Sequence, residues 1–473
     1  MSMQILGKQS LFYGIGHIIT RSIGFLLLPL YTNYLSLEEY GVIALVYTFL
    51  GFMNIILHYG LDASLLKHYV GSNVYNQKTV LTNVYTSLFI TTFMTVSILL
   101  LFKNKIGYVL FGFKDSQIII LVLGILFFDT LLSIHNLIIR AEQKPKLYIC
   151  VSLSNVLFNV LLNIYFIIYL RLGINGVLIG NLISSFTIFL LTSPIIINRF
   201  SFSRLSFVKW KQLMIFGYPL LFSGIFSMIL ELSDRYIIRL LIGIEAVGVY
   251  NAGYKIGMIM MIIVSGFNMA WQPYFLNKKV NERKYIADTS IILLTLICSF
   301  WLFILLWSET ILTFQIFGFS FYGENYWDSI NIIPYVALAY IFHACYLIQI
   351  PGYYLLEKTE YIAWIRCCGA LFNIALNFLF ISIYGIIGAA VSTCLSYLIM
   401  AVLVYLLNKR LFPIQYSINN LFLIFGLLLL IVNLNYFFVL SETVKFLITI
   451  LYPTIIIYLG GNKQLFIDLI KEK

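Results

Sequence analysis

Charge is scarce in this 473-residue chain: Asp, Glu, Lys and Arg together make 10% of it, against 61% hydrophobic residues. A soluble domain clothes itself with about a quarter charged residues, so a water-facing globular surface is excluded. Prolines number only nine, which leaves long helices few breaks. The six cysteines, Cys150, Cys298, Cys345, Cys367, Cys368 and Cys394, show no CxxC or Cys/His ligand spacing. That excludes a zinc cluster, and the cysteines read as small apolar packing residues. There is no GxxxxGK[ST] phosphate loop, and no connection is long enough to hold a soluble nucleotide-binding domain.

What the chain has in abundance is apolar runs of about 20 residues, the length that crosses roughly 30 Å of hydrocarbon as a helix. Fourteen spans are predicted: 10 to 32, 40 to 61, 81 to 102, 117 to 138, 149 to 170, 174 to 196, 211 to 231, 247 to 274, 286 to 307, 329 to 351, 361 to 383, 386 to 408, 417 to 438 and 443 to 460. The runs are continuously apolar, whereas barrel strands are short and alternate in polarity, so the predicted class is an all-α polytopic membrane protein. With both termini inside, twenty of the thirty basic residues fall on the cytoplasmic side and seven opposite. The remaining three, Arg21, Lys255 and Arg366, lie within spans. The net charge of +11 is therefore a topology signal rather than a nucleic-acid footprint. The N-terminus, with one Lys and no small-residue cleavage site, reads as a retained first span.

The chain also repeats itself. Leu157-Phe158-Asn159-Val160-Leu161-Leu162-Asn163 returns as Leu371-Phe372-Asn373-Ile374-Ala375-Leu376-Asn377 at an offset of 214. Leu110-Phe111-Gly112-Phe113 matches Ile316-Phe317-Gly318-Phe319 at 206, Glu38 to Val42 match Glu245 to Val249 at 207, and Gly173 and Gly176 match Gly385 and Gly388 at 212. Each copy holds six spans, an even number, so the two are parallel repeats related by an axis along the membrane normal. The predicted organisation is an N-lobe over 1–200, a C-lobe over 201–410 that includes a basic linker, and two further helices with a cytoplasmic tail over 411–473.

Polar residues inside the spans are where chemistry must sit, since a mid-bilayer charge costs about 2.5–3.5 kcal/mol without a partner or water. Arg21 lies midway along a face with Ser10, Gly14, His17 and Gly24. Helical spacing puts Tyr47, Gly51, Asn54, His58 and Asp62 on one face, and Asp129, Ser133, Asn136 and Arg140 on another. Ser152, Asn155, Asn159 and Asn163 recur as Arg366, Gly369, Asn373 and Asn377, while Ser223, Ser227, Glu231 and Asp234 share a face just before Arg235. Two readings stand side by side: Asn, Ser and Gly stripes knit helices together, or they line a wet cavity. Arg21, Lys255 and Arg366 are deep enough to favour the cavity. Asp129 is a carrier of a coupling ion or a counter-charge to one of those bases, and charges near span ends, Glu231 and Asp234 among them, also suit interfacial ion pairs. The histidines read as hydrogen-bonded interior residues, and the aromatic residues chiefly as interfacial belt and lipid contact.

Arg21, Gly24, Pro29, Tyr31, Leu35 and Glu39-Tyr40-Gly41 resemble the opening of the bacterial oligosaccharide flippases of the multidrug/oligosaccharidyl-lipid/polysaccharide exporter superfamily. Pro219, Asp234-Arg235, Gly248-Val249-Tyr250, Ala252, Tyr254, Lys255 and Ile256 resemble their second half. The resemblance implies two lobes around a central cavity and no enzymatic activity. It implies a polyprenyl-pyrophosphate-linked oligosaccharide as cargo, moved across the bacterial inner membrane for O-antigen or capsule synthesis, with membrane lipids, a polymerase and chain-length machinery as partners. On that reading Arg21, Lys255 and Arg366 would hold the pyrophosphate, and Asn155, Asn159, Asn373 and Asn377 the sugar hydroxyls. No cofactor is expected; a proton or sodium gradient would drive transport through Asp129, Glu231 or Asp234. A drug exporter of the same superfamily would want acids rather than bases deep in its cavity, and a membrane polymerase would want a catalytic cluster in the 308–328 loop.

Overall fold

Helices follow the apolar runs almost wherever the structure, a computed structural model, describes the chain: residues 24–460 other than 71, 113–115, 277–282, 317–318, 357 and 359. The first half comprises α1 (Leu28–Tyr34), α2 (Leu37–His58), α3 (Leu61–Tyr69), α4 (Val74–Leu101), α5 (Lys103–Ile106), α6 (Ser116–Ala141), α7 (Pro145–Ile164), α8 (Gly173–Ile197) and α9 (Phe207–Leu241). It continues with α10 (Ile244–Gly257), α11 (Ile259–Leu276), α12 (Arg283–Thr313), α13 (Ile333–Leu347), α14 (Pro351–Leu355), α15 (Glu360–Tyr384), α16 (Ile386–Leu411), α17 (Ile418–Phe437) and α18 (Glu442–Leu459). The one sheet among the described residues is a two-rung hairpin, Gln315–Ile316 against Phe319–Ser320.

Among the described residues eleven helices are long and apolar enough to cross a membrane, or twelve when α10 and α11, bent by 40° at Met258, count as one span. The sequence assigns that pair a single span. Of the fourteen expected spans, the first lies mainly outside the described residues, and α18 forms a helix of 18 residues that is not among the twelve. Large apolar side chains stand exposed along these helices, with Phe422 at 80% and Trp364 at 68%, a surface suited to lipid rather than water.

Local chemistry sets the breaks. Ser36 and Glu39 form a reciprocal capping box that starts α2. Tyr59 and Gly60, at φ 34° and 79°, reverse the chain into α3, and Gly60 has no alternative because a Cβ there would run into the backbone of Gly217.

The repeat is visible in the fold as well. Gly173 and Gly385, equivalent in sequence, both take positive φ, 53° and 61°, at the turns between α7 and α8 and between α15 and α16. In each hairpin the second Asn of the pair donates to the first: Asn163 Nδ2 to Asn159 Oδ1 at 3.0 Å, Asn377 Nδ2 to Asn373 Oδ1 at 2.9 Å.

The chain divides into two compact units between Asn251 and Ala252, which is not the seam between the sequence copies at 200/201. The reason is that the linker and α9 are stitched to the first unit. Asn83 accepts from the Ser206 amide at 2.9 Å and donates to the Arg204 carbonyl at 3.0 Å, Trp210 donates to Ser87 at 2.9 Å, and Ser64 donates to the Leu213 carbonyl at 2.6 Å. Within this unit the repeat-equivalent starts of α2 and α10 cross at two glycines. A Cβ on Gly41 would strike the carbonyl of Ile244, and one on Gly248 the carbonyl of Leu37.

Candidate functional site

Two polar systems lie inside the apolar helices, one in each unit. In the first, Ser185 donates to Asp129 at 2.5 Å and lies 3.4 Å from Asn181, and Asn181 donates to the Tyr47 hydroxyl at 3.1 Å. Tyr47 is hydrogen-bonded to Tyr31, whose hydroxyl donates to Asn163 Oδ1 at 3.0 Å. A continuous chain of polar groups therefore runs from α6 through α8 and α2 to α1 and α7. Asp129 is its only acid, half-buried beside Phe128 with no ion pair among the described residues. Asn155, half-buried, accepts from Ser184 at 2.8 Å.

The asparagines expected to meet sugar divide by geometry. Asn159, Asn373 and Asn377 are buried, the last two at 0% exposure, and their amides join turns of their own helices. Those bonds are internal to each helix, and Asn155 is the member of the set with a partly open side chain.

Asp234 and Arg235 sit inside α9, which runs ten residues beyond the predicted end of its span at 231. Asp234 is 1% exposed and Arg235 3%. Their side chains pair at 2.6 Å, Tyr250 donates to the other carboxylate oxygen at 2.5 Å, and Arg235 also donates to the Glu231 carbonyl at 2.5 Å. Asp234 is thus committed to a closed ion pair with every oxygen served. Glu231 is half-buried one turn earlier on the same helix.

In the second unit Arg366 lies half-buried on α15, with Tyr346, Tyr354 and Tyr397 as electrostatic partners. The His343 ring packs on Tyr397 at 4.8 Å, Tyr397 on Tyr340 at 6.2 Å, and Tyr340 shares a 2.9 Å hydrogen bond with Tyr254. Lys255 is the neighbour of Tyr254 on α10 and is half-buried. The sequence reading assigns the aromatic residues mainly to the interface and to lipid contact, and Phe422 and Trp364 are exposed along the helices. The structure instead buries Tyr40, Tyr250, Tyr322, Tyr326, Tyr340 and Tyr346 almost completely, and several spend their hydroxyls on interior partners. Arg21 and His17 lie outside the described residues. His58 and His135 are interior and hydrogen-bonded, His135 to Thr192 at 2.7 Å.

Where the chain leaves the apolar helices, Glu142 ties three elements. It takes a two-pronged contact from Arg199, with the Nη2 arm at 2.7 Å, and accepts from Lys144 at 2.8 Å and from Tyr69 at 2.9 Å. Burial pulls the carboxyl upward, but these donors outweigh it and hold Glu142 below its ordinary value. Burial and the adjacent carboxylate push Tyr69 up to about 12.

Residues 6–279, more than half of the chain, match the family described as polysaccharide biosynthesis protein. The chain belongs to this family. Over 204 residues it is 29% identical to a Shigella flexneri protein named "Putative O-antigen transporter", covering 42% of this chain and 47% of that one. Over 276 residues it is 23% identical to an uncharacterized membrane protein of Haemophilus influenzae, covering 57% and 65%. The chain therefore matches less than two thirds of the length of either relative. Among solved structures it superimposes on lipid II flippase MurJ in an inward closed conformation, with a TM-score of 0.76, 16% identity and coverage of 97% and 99%. An inward-facing multidrug transporter of the MATE family and the MOP superfamily follows at a TM-score of 0.66, 14% identity and coverage of 82% and 94%. This polysaccharide biosynthesis family member thus has the all-helical fold shared by those flippases and transporters. The family match takes in Asp129, the asparagines of α7, Asp234 and Lys255, but ends before Arg366.

Proposed function

We propose that the chain is a flippase that carries a polyprenyl-pyrophosphate-linked oligosaccharide from the inner to the outer leaflet of a bacterial cytoplasmic membrane by alternating access, for O-antigen or capsule synthesis. The observation that carries this reading is the pairing of deep bases with family. Lys255 and Arg366 stand within apolar helices of a chain whose family makes polysaccharide, and a pyrophosphate in transit needs such cations. An O-antigen transporter among the relatives and a lipid II flippase among the folds support the same cargo class. Exporters of cationic drugs, the neighbouring chemistry, would find these bases repulsive. Arg21 joins the two as the third proposed pyrophosphate ligand, and Asn155 is the favoured sugar contact of its stripe because its side chain is open.

Energy, on this proposal, comes from a proton or sodium gradient through Asp129. Among the described residues it forms no ion pair, and its hydrogen-bonded chain reaches α1 and α7. Asp234 is the weaker candidate because Arg235 already neutralises it. On this proposal both termini lie in the cytoplasm, a reading supported by the distribution of Lys and Arg. The test is removal of the protein: single lipid-linked repeat units should accumulate on the inner leaflet, and accumulation on the outer leaflet would overturn the reading in favour of a polymerase defect. Arg366→Gln and Lys255→Gln should each reduce surface polysaccharide at unchanged protein level. Loss of flipping in proteoliposomes on collapse of both gradients, and on Asp129→Asn, checks the coupling.

A further inference from the structure

The faces carrying Asn54, His58 and Asp62 and carrying Ser133 and Arg140 have no place in the proposal so far, yet the structure brings them to one cavity. It measures about 380 Å³ and lies in the first unit between α2, α3, α6 and α9, with Leu137, Leu220 and Leu221 on its apolar side. The Tyr59–Gly60 reversal is what turns Asp62, in the first turn of α3, back towards the end of α2.

One member of the wall is fixed. His58 is 6% exposed; its Nδ1 is 2.5 Å from the Asn54 carbonyl, to which it can only donate, and its Nε2 meets the Ser133 hydroxyl. Three others are uncommitted. Among the described residues Asp62 and Arg140 form no ion pair, and the Asn54 side-chain amide makes no hydrogen bond. A guanidinium, a carboxylate and an amide, all open on one cavity, form a mixed set. A carboxylate would repel a ligand that is only anionic, and a guanidinium one that is only cationic. The set suits a ligand that carries an anion and hydroxyl donors side by side: phosphate on the planar fork of Arg140, and a diol shared between Asp62 and Asn54. Arg140 and Lys144 belong to the basic segment that the charge distribution places in the cytoplasm, which is where a lipid-linked sugar is available before transport.

The geometry points to a loading subsite for the sugar phosphate next to the lipid, in which Arg140 holds phosphate, Asp62 and Asn54 read the hydroxyls of the first sugar, and His58 positions the α2 end. This rests on the flippase reading above.

The test is binding to the purified full chain in nanodiscs, with two probes: a bare polyprenyl diphosphate and the same lipid bearing one N-acetylhexosamine. Arg140→Gln should weaken both probes about tenfold, the loss of one charge-assisted contact. Asp62→Asn and Asn54→Ala should weaken only the glycosylated probe, by a similar factor, and Arg140→Lys should keep most of the affinity for the bare lipid. Melting temperature controls for folding, and if Arg140→Gln does not fold, the Asp62 and Asn54 pair still decides. Wild-type protein that binds neither probe would overturn the flippase reading itself. Wild-type binding to both, with the variants indifferent, would sink the subsite alone. Equal displacement of the sugar probe by phosphatidylglycerol, which also offers a phosphate and a diol, would show a membrane-lipid site and likewise overturn the proposal.

Discussion

Asp234 and Arg235 are adjacent on a helix, where neighbours normally diverge, yet their side chains meet at 2.6 Å with both residues almost fully buried. Removing one charge strands the other in an apolar setting, which costs far more than the pair contributes. Asp234→Asn should therefore lower stability by about 3–5 kcal/mol, with Tyr250→Phe costing about 1 kcal/mol for its lost hydrogen bond. Thermal unfolding in detergent reads both; if Asp234→Asn proved neutral, the buried pair would not be closed in solution. The sequence offers Asp234 both as an ion carrier and, because the apolar count ends its span at 231, as a member of an interfacial ion pair. Hydropathy averages over a pair of opposite charges as if each met lipid alone, and so it cut short a helix that runs to Leu241. The same averaging made no distinction between Asn155, which is open, and Asn159, Asn373 and Asn377, which are buried: spacing gives a face, but not what covers it.

At the scale of elements, matching hairpins permit a matched experiment. Asn163 and Asn377 occupy the same place in α7–α8 and α15–α16 and donate to the same partner one turn back. Only Asn163 also accepts from Tyr31. Replacing each by Leu should cost about 0.6 kcal/mol per lost membrane-interior hydrogen bond, so Asn163→Leu, which also loses the Tyr31 bond and a second bond to the Asn159 carbonyl, should exceed Asn377→Leu by about two such increments. Equal costs would mean the Tyr31 contact carries no weight. Outside the lipid-facing region, Glu142 joins the end of α3, the α6–α7 turn and the segment after α8. Its folded carboxyl is held below the ordinary 4.5 by its three donors. It therefore contributes stability that is fully present above 4.5 and disappears as pH falls through the lower folded value. The melting-temperature gap between wild type and Glu142→Gln should be greatest near neutrality and close under acid; a gap independent of pH would remove the clasp. The glycines that turn both hairpins were legible as an offset of 212, whereas Gly257, next to the 40° bend at Met258, was absorbed into one continuous apolar run.

For the molecule as a whole, the sequence copies are inferred from four matches that keep their order, and at two of these the structure has the same local feature twice, a positive-φ glycine and an Asn pair. The boundary between units was not readable in the sequence. Copies are bounded by descent, but units by packing, and Asn83, Trp210 and Ser64 bind the first helix of the second copy to the first. One consequence of the duplication can be tested directly. Gly41 and Gly248 are counterparts, and each lies against the backbone just ahead of the other: Gly41 on Ile244, Gly248 on Leu37. A contact between repeat-equivalent positions is self-complementary in the manner of a two-fold dimer, so both sides must open together. A side chain on either glycine meets main-chain carbonyl rather than a yielding side chain, and α2 and α10 must then separate. Gly41→Val and Gly248→Val should therefore behave alike, each raising the reactivity of a cysteine placed at Ile244 towards a membrane-impermeant thiol reagent in a cysteine-free background. The double variant should add little to either single one, because the first substitution already parts the crossing. Additive effects, or an effect of one glycine without the other, would show that the two approaches are independent packings rather than one symmetric contact.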